Sequence, residues 1–406
     1  MKTIKRIDAR ELKVGMYIAD ISNEWVPDTN LSRHGLIKKQ EAINHILKLG
    51  VTELYIDTEK GEDCKGGTPL EEINQKLDEE LNNIQTQSSH ARTDTSFQEE
   101  SANATKLHLE TLNLVSQVMN DVKMGQAINI RPVEDVADGI AESIRRNQNA
   151  LSCFTRMRHK DEYLIEHSFS VAVLMGILAR SMGFSGDDLH QVVTGALLHD
   201  VGKIRVADEI LHKPGSLDAE EWEEMKRHVQ YGEEALDATA GISTEIKQIC
   251  AQHHERIDGT GYPRGLSGGA ITLHGRMCSV VDVYDAITAH RVYHTGMVPT
   301  VAMKKIIEWS GKHLDRLVAY QFVACMSIYP AGTLVNLDNK FLALVLEANV
   351  RQQHLPVVKI VYDLTEGKGC APRTINLAHS DSSERIICAV DPVDYKLTDD
   401  IFRSFH

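Results

Sequence analysis

The sequence predicts a mainly α-helical protein with a small α+β domain in front and a few strands near its C-terminal end. Between residues 107 and 326, apolar residues recur at helical spacing in one segment after another. Residues 1–60 instead combine strand-like stretches with one amphipathic helix. After residue 333, short β-branched and aromatic runs alternate with turn residues. These three patterns define the predicted fold class.

The N-terminal domain is predicted from three consecutive stretches. Leu12–Ile18 is rich in β-branched and aromatic residues, which favours a strand. Lys38–Leu49 has apolar residues at helical spacing and is followed by Gly50, a suitable helix stop. Val51–Ile56 then alternates like a half-buried strand. None of these stretches has the spacing of metal ligands, so we expect an interaction or regulatory domain.

The helices after residue 150 have recognisable start signals. Ser185 and Ser243 occupy N-cap positions before apolar stripes, and Asp218 with Glu221 forms a capping box. Tyr163–Gly183 is the most strongly apolar helix of the chain. Strands follow the helices, and their predicted limits are Thr333–Leu337, Phe341–Leu346 (joined to the first by Asp338-Asn339) and Val357–Tyr362.

Composition and patterning divide the chain into five regions. Residues 61–106 are poor in apolar residues and predict a polar, partly disordered linker. The five predicted regions are a small α+β domain (1–60), the linker (61–106), connecting helices (107–150), the main helical domain (151–350) and a strand-rich extension (351–406).

The composition excludes several classes of protein. The chain has 406 residues, 42% of them hydrophobic and 25% charged, which is typical of a soluble globular protein. Its longest apolar run, Val171–Ala179, is too short to span a bilayer, and the first residues lack the apolar core of a signal peptide. Seven cysteines without a CxxC pair favour a reducing compartment. We therefore expect a cytoplasmic protein without a membrane span.

The formal net charge of −14 argues against a surface that coats DNA, because such a surface would be basic. An acidic protein that binds an anionic substrate must neutralise it locally. Metal ions and a few well-placed lysine or arginine side chains would meet this requirement.

Seven ionisable side chains lie on successive predicted helical segments, each beside an apolar stripe. Any single histidine among them is more often a hydrogen-bonded core residue than a ligand, but an ionised carboxylate within an apolar helix is costly unless it is paired or bound to metal. Because such helices pack together, their polar groups should converge on one spot. The seven candidate metal ligands are His167, His199, Asp200, His228, His253, His254 and Asp282.

Five imidazoles and two carboxylates are too many ligands for one tetrahedral zinc. They suit two octahedral divalent ions that share a carboxylate, and the absence of cysteine favours iron first and manganese second. Two cations about 3.5–4 Å apart can hold a bridging hydroxide and stabilise an in-line phosphoryl displacement. Lys203, just after His199-Asp200, could reach a phosphate oxygen, although a solvated lysine at a helix end is the commoner case.

Two segments resemble the signatures of HD-GYP domains: His199-Asp200-Val201-Gly202-Lys203, and residues 253–263 from His-His-Glu to Gly-Tyr-Pro. The spacing to Asp282, Asp285 and Arg291 is similar to that family as well. The resemblance covers about residues 150–350. Residues 1–60 resemble, more loosely, the small uncharacterised domain that often precedes HD-GYP domains in bacterial proteins.

The resemblance implies an HD-type helical bundle and a di- or trinuclear metal centre that hydrolyses cyclic dinucleotides, most often cyclic di-GMP. By position it implies that the seven candidates are metal ligands, with Asp200 bridging, and that Lys203 contacts the scissile phosphate. It places Asp285 beside the centre, where we count it with Asp200 and Lys203 among the catalytic residues. The residues that it implies for substrate binding are Lys203, Gly261, Tyr262, Pro263 and Arg291.

Two positions depart from the family pattern. Trinuclear members have a glutamate four residues before the first histidine, where this chain has Tyr163, so we predict two metals. Many members have a second arginine three residues after the position of Arg291, where this chain has His294. A neutral or partly protonated imidazole holds phosphate less strongly. The choice between cyclic di-GMP and cyclic GMP-AMP therefore stays open.

The predicted function is hydrolysis of cyclic di-GMP to pGpG, with GMP as an open further product and a metal-bridging hydroxide as the nucleophile. The rival from another class is a sensor or scaffold that binds a cyclic dinucleotide without hydrolysing it. A hydrolase of ordinary nucleotides is disfavoured through the resemblance alone. The N-terminal domain or the Gly-Tyr-Pro segment could bind a protein partner, such as a diguanylate cyclase domain. A homodimer is a further open alternative.

Overall fold

A computed structural model of the chain describes residues 4–20, 34–48, 51–87, 94–156, 163–215, 217–289, 296–349, 352–379, 382–395 and 397. Helices predominate, as predicted. The α-helices are α1 (Gln40–Lys48), α2 (Leu70–Gln87), α3 (Phe97–Lys123), α4 (Ile130–Phe154), α5 (Tyr163–Ser181), α6 (Gly186–Leu198), α7 (Asp208–Leu211), α8 (Ala219–Lys226), α9 (His228–Asp237), α10 (Thr244–Gln252), α11 (Leu273–Thr288), α12 (Pro299–Trp309) and α13 (Arg316–Cys325).

The strands form two antiparallel sheets of five strands each in the described residues. The first sheet has the order β3-β2-β4-β1-β5 and the second has the order β10-β6-β7-β8-β9. The strands are β1 (Ile4–Asp8), β2 (Tyr17–Asp20), β3 (Gly35–Leu36), β4 (Glu53–Asp57), β5 (Thr68–Pro69), β6 (Leu334–Leu337), β7 (Phe341–Glu347), β8 (Val357–Asp363), β9 (Lys368–Asn376) and β10 (Ile386–Ala389).

The chain divides into two compact units, and each is made of two stretches of sequence. The first unit comprises Met1–Glu80 and Asp208–Met225. The first sheet and α1 bury a shared apolar core that includes Ile43, Ile46 and Ile56. This is the small α+β domain that the alternating stretches predicted.

The second unit, Leu81–Ala207 and Lys226–His406, contains the helical bundle and the second sheet. Helix α5 packs against α4, α6 and α11, and α10 packs against α6, α9 and α11. Close packing of α6 on α10 depends on Gly195, because a Cβ there would lie 2.5 Å from Cδ1 of Ile249. The helices that contain the candidate ligands are therefore neighbours in one core.

Two predicted boundaries differ from the structure. Most of the predicted linker is helical, since α2 and the first part of α3 fall within residues 61–106; residues 88–93 lie outside the described residues. Because α2 contains few apolar residues, composition alone does not reveal the helical stripe that they form, which consists of Ile73, Leu77, Leu81 and Ile84. The predicted boundary at residue 351 also cuts one sheet in two, because β7 pairs with β8.

Helix α5 is long and apolar enough to cross a membrane, judged by length and composition alone. In the structure, however, 78% of its most apolar window is buried inside the protein. Its burial is that of a core helix, and it places His167 within the bundle.

Candidate metal centre

Each of the seven candidate ligands lies in the core of the bundle, and each is at most 8% exposed. His167 is on α5, and His199-Asp200 joins α6 to a short 3-10 helix, Val201–Arg205. The other ligands begin α9 (His228), follow α10 (His253, His254) and lie within α11 (Asp282).

The structure brings these side chains into two adjacent clusters. The three-residue cluster contains His167, His199 and Asp282, and the four-residue cluster contains Asp200, His228, His253 and His254. Within each cluster the potential ligand atoms lie within 4.8 Å of one another. Two separate sets of nitrogen and oxygen donors are therefore present.

Asp200 lies between the two sets. Its Oδ2 atom is 3.3 Å from Nε2 of His167 and 3.4 Å from Nε2 of His199. Its Oδ1 atom is 3.4 Å from Nε2 of both His228 and His253. One carboxylate thus turns a different oxygen towards each histidine pair, which is the arrangement required of a bridging ligand.

Backbone contacts fix the orientation of two of the imidazoles. Nδ1 of His199 donates a hydrogen bond to the Ala196 carbonyl at 2.7 Å, and Nδ1 of His253 donates to the Cys250 carbonyl at 2.7 Å. Each histidine directly follows a helix, so its ring folds back onto the last turn. With the hydrogen on Nδ1, a neutral ring directs the lone pair of Nε2 towards the centre, as a metal ligand must.

The third oriented imidazole is His167, whose Nδ1 lies 2.6 Å from Oδ2 of Asp285. Its Nε2 is 3.1 Å from Oδ1 of Asp282 and also faces Asp200. A carboxylate behind a ligating histidine is a common supporting contact in metal sites. The family resemblance places Asp285 beside the centre but does not identify His167 as its partner. Because Asp285 follows Asp282 by three residues, both side chains lie on one face of α11.

The negative charges of the carboxylates at the centre also favour the binding of cations. Burial would raise the pKa of Asp200, but the Lys203 ammonium and the His199 imidazole hold it well below its usual range. Burial opposes ionisation of Asp282 in the same way, yet contact with His167 lowers its pKa as well. Two ionised, buried carboxylates require positive charge close by.

The hydrogen bonding of Asp200 provides a second argument for a bound cation. Oδ1 of Asp200 is buried and accepts no hydrogen bond from the residues that the structure describes. Buried carboxylate oxygens are seldom left in this state, because desolvation without a partner is costly. Asp200 and the three imidazoles clustered with it, those of His228, His253 and His254, therefore fit a divalent ion better than they fit one another.

Lys203 lies on the 3-10 helix with its side chain 19% exposed. Its Nζ is 2.5 Å from Oδ2 of Asp200. Although burial disfavours its charge, the Asp200 and Asp282 carboxylates raise the pKa of Lys203 above its ordinary value. The side chain thus places a fixed positive charge beside the bridging carboxylate.

The Gly-Tyr-Pro loop, residues 258–266, folds back onto the end of α10. The carboxylate of Glu255 accepts hydrogen bonds from the backbone N–H groups of Arg264 at 2.8 Å and Leu266 at 2.9 Å. The ring of Tyr262 lies over the imidazole of His254, with centroids 4.6 Å apart. The loop therefore borders the four-residue cluster, while Arg291 and His294 lie outside the described residues.

Comparison with known proteins agrees with this geometry. Residues 153–318 match the HD domain family, and residues 4–133 match a domain of unknown function, DUF3391. The chain is 34% identical over 385 residues to the cyclic di-GMP phosphodiesterase PA4108 of Pseudomonas aeruginosa, covering 95% of this chain and 91% of that relative.

Other relatives match over shorter stretches. The 3'3'-cGAMP-specific phosphodiesterase 2 of Vibrio cholerae is 37% identical over 150 residues, which are 37% of this chain and 29% of that relative. Among solved structures, Bd1817, a HDG"Y"P protein from Bdellovibrio bacteriovorus, is 19% identical with a TM-score of 0.47, covering 79% of this chain and 98% of that one. On the near-full-length identity to the Pseudomonas relative and the matched HD domain, the chain belongs to the HD-GYP family, with a DUF3391 domain at its N-terminal end.

Proposed function

We propose that the protein is a metal-dependent phosphodiesterase that hydrolyses cyclic di-GMP to pGpG, with onward hydrolysis to GMP left open. The observation that supports this most directly is the position of Asp200, which turns one oxygen towards His167 and His199 and the other towards His228 and His253. Such a carboxylate suits a pair of ions acting on one phosphate diester. The name and near-full-length coverage of the Pseudomonas relative support the same substrate.

The centre would hold two divalent ions, iron in preference to manganese, because its donors are imidazole nitrogens and carboxylate oxygens without thiolate. Asp200 would be shared, and each cluster would supply its remaining ligands to one ion. When bound, the ions would activate water and stabilise negative charge on the phosphate oxygens. The proposed ligands are His167, His199, Asp200, His228, His253, His254 and Asp282.

The protein's own groups have distinct tasks in this proposal. Lys203 binds a non-bridging oxygen of the scissile phosphate and neutralises its charge. Asp285 holds the ring of His167 through Nδ1, so it acts as a positioning residue rather than on the substrate. Gly261, Tyr262 and Pro263 border the bound dinucleotide and limit the access of water.

Arg291 stays a proposed contact to phosphate or to a guanine edge, as the family resemblance implies. We propose that the predicted catalytic domain, residues 151–350, extends further to include the whole second sheet, and that the predicted regulatory domain, residues 1–60, is part of the first compact unit. We also propose a cytoplasmic protein whose N-terminal domain or Gly-Tyr-Pro loop binds a protein partner. A diguanylate cyclase domain would be one such partner, and a homodimer would be a second form of association.

Cyclic GMP-AMP is the second candidate substrate, and the observation that favours it is the identity to cyclic GMP-AMP phosphodiesterases over about a third of the chain. Those matches cover a smaller part of both proteins than the match to the Pseudomonas relative. A non-catalytic sensor is the rival of another class. The near-full-length relative from Pseudomonas, which is named a phosphodiesterase, favours an enzyme over a sensor.

The test uses the full chain reconstituted anaerobically with Fe(II) or Mn(II), with metal content measured on the same sample. Hydrolysis of cyclic di-GMP is the expected result. Metal-loaded protein that leaves both cyclic di-GMP and cyclic GMP-AMP intact would refute the enzyme. The Asp200→Ala variant should lose metal and activity together. Lys203→Ala should retain the metal, because bound divalent ions still neutralise Asp200, and should hydrolyse more slowly, because a phosphate contact is lost.

A further inference from the structure

Tyr163 lies one helical turn before His167, at the first position of α5. Its ring is nearly parallel to the His167 imidazole, with centroids 5.8 Å apart and an angle of 10° between the planes. Tyr163 is half-buried, whereas every residue from Glu166 to Ala179 is buried. Tyr163 therefore stands where the buried part of α5 meets the protein surface.

The other contacts of His167 involve the edge of its ring. Asp285 binds Nδ1, and Asp200 and Asp282 lie near Nε2. Tyr163 covers a face of the same ring. Offset stacking at this distance is a stabilising arrangement for aromatic rings, so Tyr163 restricts the tilt of the imidazole, which the edge contacts leave less defined.

The same contacts lead from Tyr163 to Lys203. Nζ of Lys203 is 2.5 Å from Oδ2 of Asp200, and that oxygen is 3.3 Å from Nε2 of His167, the ring on which Tyr163 stacks. Tyr163 on α5 and Lys203 on the 3-10 helix therefore approach the same pair, His167 and Asp200, from two different elements.

We propose that Tyr163 is a substrate-positioning residue whose ring fixes the plane of His167 and whose hydroxyl donates a hydrogen bond to a non-bridging phosphate oxygen. The inference rests on the proposed function, since it assumes a phosphate diester at the centre. The ammonium supplies charge with little directional preference, and the phenol supplies a directed donor. No covalent bond to Tyr163 forms or breaks.

The test compares Tyr163→Phe and Tyr163→Leu in the full chain loaded with Mn(II), with inorganic phosphate as the probe. Tyr163→Phe keeps the ring and removes the hydroxyl, so metal content should be unchanged while phosphate affinity falls about tenfold, as expected for a hydrogen bond to a charged group. The KM for cyclic di-GMP should rise with it. Tyr163→Leu should lower metal content as well. Tyr320→Phe, the same change on α13, is the control.

Equal phosphate affinity in Tyr163→Phe and the unaltered protein would overturn the role of the hydroxyl. Loss of metal from Tyr163→Phe would overturn it too, because the hydroxyl would then support the centre itself. Full metal content in Tyr163→Leu would overturn the role of the ring. If the unaltered, metal-loaded protein hydrolyses no cyclic dinucleotide, the proposed function fails, but the phosphate titration still decides the role of Tyr163.

Discussion

The carboxylate of Asp285 lies 2.6 Å from Nδ1 of His167. The other ring nitrogen of His167, Nε2, faces Asp200. The two side chains come from α11 and α5, which pack against each other. This pairing determines which nitrogen of His167 is available to a metal, and it links the orientation of one ligand to the helix that supplies another, Asp282.

Replacing Asp285 by asparagine should weaken metal binding without unfolding the protein. Asparagine keeps the size of the side chain but removes the negative charge behind His167. Substitution of such supporting groups costs about 10–100-fold in metal affinity or activity. Titration with Mn(II) would measure the effect. Asp138→Asn is the matched control, because Asp138 makes a similar 2.6 Å contact with His190 on an exposed surface. Unchanged metal affinity in Asp285→Asn would contradict the assignment.

A side chain at Gly202 should disrupt the junction between the 3-10 helix and α9. A Cβ at this position would collide with the His228 carbonyl and the backbone nitrogen of Gly232. Both partners are backbone atoms and cannot move aside easily, so Gly202→Ala should lower the free energy of unfolding by about 1–3 kcal/mol or more. Urea denaturation would measure it, together with metal content.

Gly269→Ala is the control for Gly202→Ala, because a Cβ on Gly269 would meet nothing within 4 Å. A Gly202→Ala variant as stable as this control, with full metal content, would show that the backbone approach does not position Asp200 and His228.

The anchoring of the Gly-Tyr-Pro loop depends on Glu255, which is 1% exposed. Glu255→Gln replaces one of two acceptor oxygens by an amide that cannot accept the N–H of Arg264 or Leu266. We expect an increased KM with metal retained, because the loop loses an anchor while the ligands keep their places. Steady-state kinetics with metal analysis would test this. Asp363→Asn, which removes a carboxylate that accepts two backbone N–H groups in another turn, should leave KM unchanged.

The ion pair between buried Glu100 and half-buried Arg146 should make stability depend on pH in the acid range. Glu100 is 1% exposed and its carboxylate accepts hydrogen bonds from Arg146 at 2.7 Å and from Ser143 at 2.8 Å. Burial alone would raise the pKa of Glu100, but these donors lower it below its ordinary value of 4.5. The unfolded chain therefore binds the proton more readily, and stability falls as pH decreases.

The contribution of Glu100 is complete above about pH 4.5 and is lost as the pH falls through the lower pKa of the folded protein. Glu100→Gln should destabilise the protein at neutral pH by about 1–3 kcal/mol, with a weaker decline in acid. Thermal unfolding at several pH values would measure both effects. Glu72→Gln is the control, because its pair with Lys76 is exposed and worth little. Parallel acid profiles for the two variants would contradict the prediction.

Much of the candidate site could be predicted from sequence because its residues have local signals. Asp282 is conspicuous as a carboxylate in an apolar helix, and His199-Asp200 ends another such helix. The partners of these groups have no local signal. The contact of Asp285 with Nδ1 of His167 joins residues 118 positions apart, and it depends on how two helices pack.

Errors in the fold prediction also have a physical cause. Residues 61–106 predict a linker because most side chains of α2 are polar. Four apolar residues at helical spacing are nevertheless enough to give this helix a buried or half-buried stripe. The pairing of Glu100 with Arg146 could not be predicted from the sequence, because two helices that form an ion pair contain the same residue types as two helices with exposed charged faces.

The division of the chain into two interleaved units has a consequence for how the protein can be cut. The sequence passes between the units at three places, after Glu80, Ala207 and Met225. Removing the N-terminal residues would therefore leave residues 208–225 without the rest of their compact unit. In the sequence, this stretch begins three residues after the 3-10 helix of Lys203 and ends three residues before His228. A protein cut down to residues 81–406 would therefore retain a segment that belongs to the compact unit that was removed.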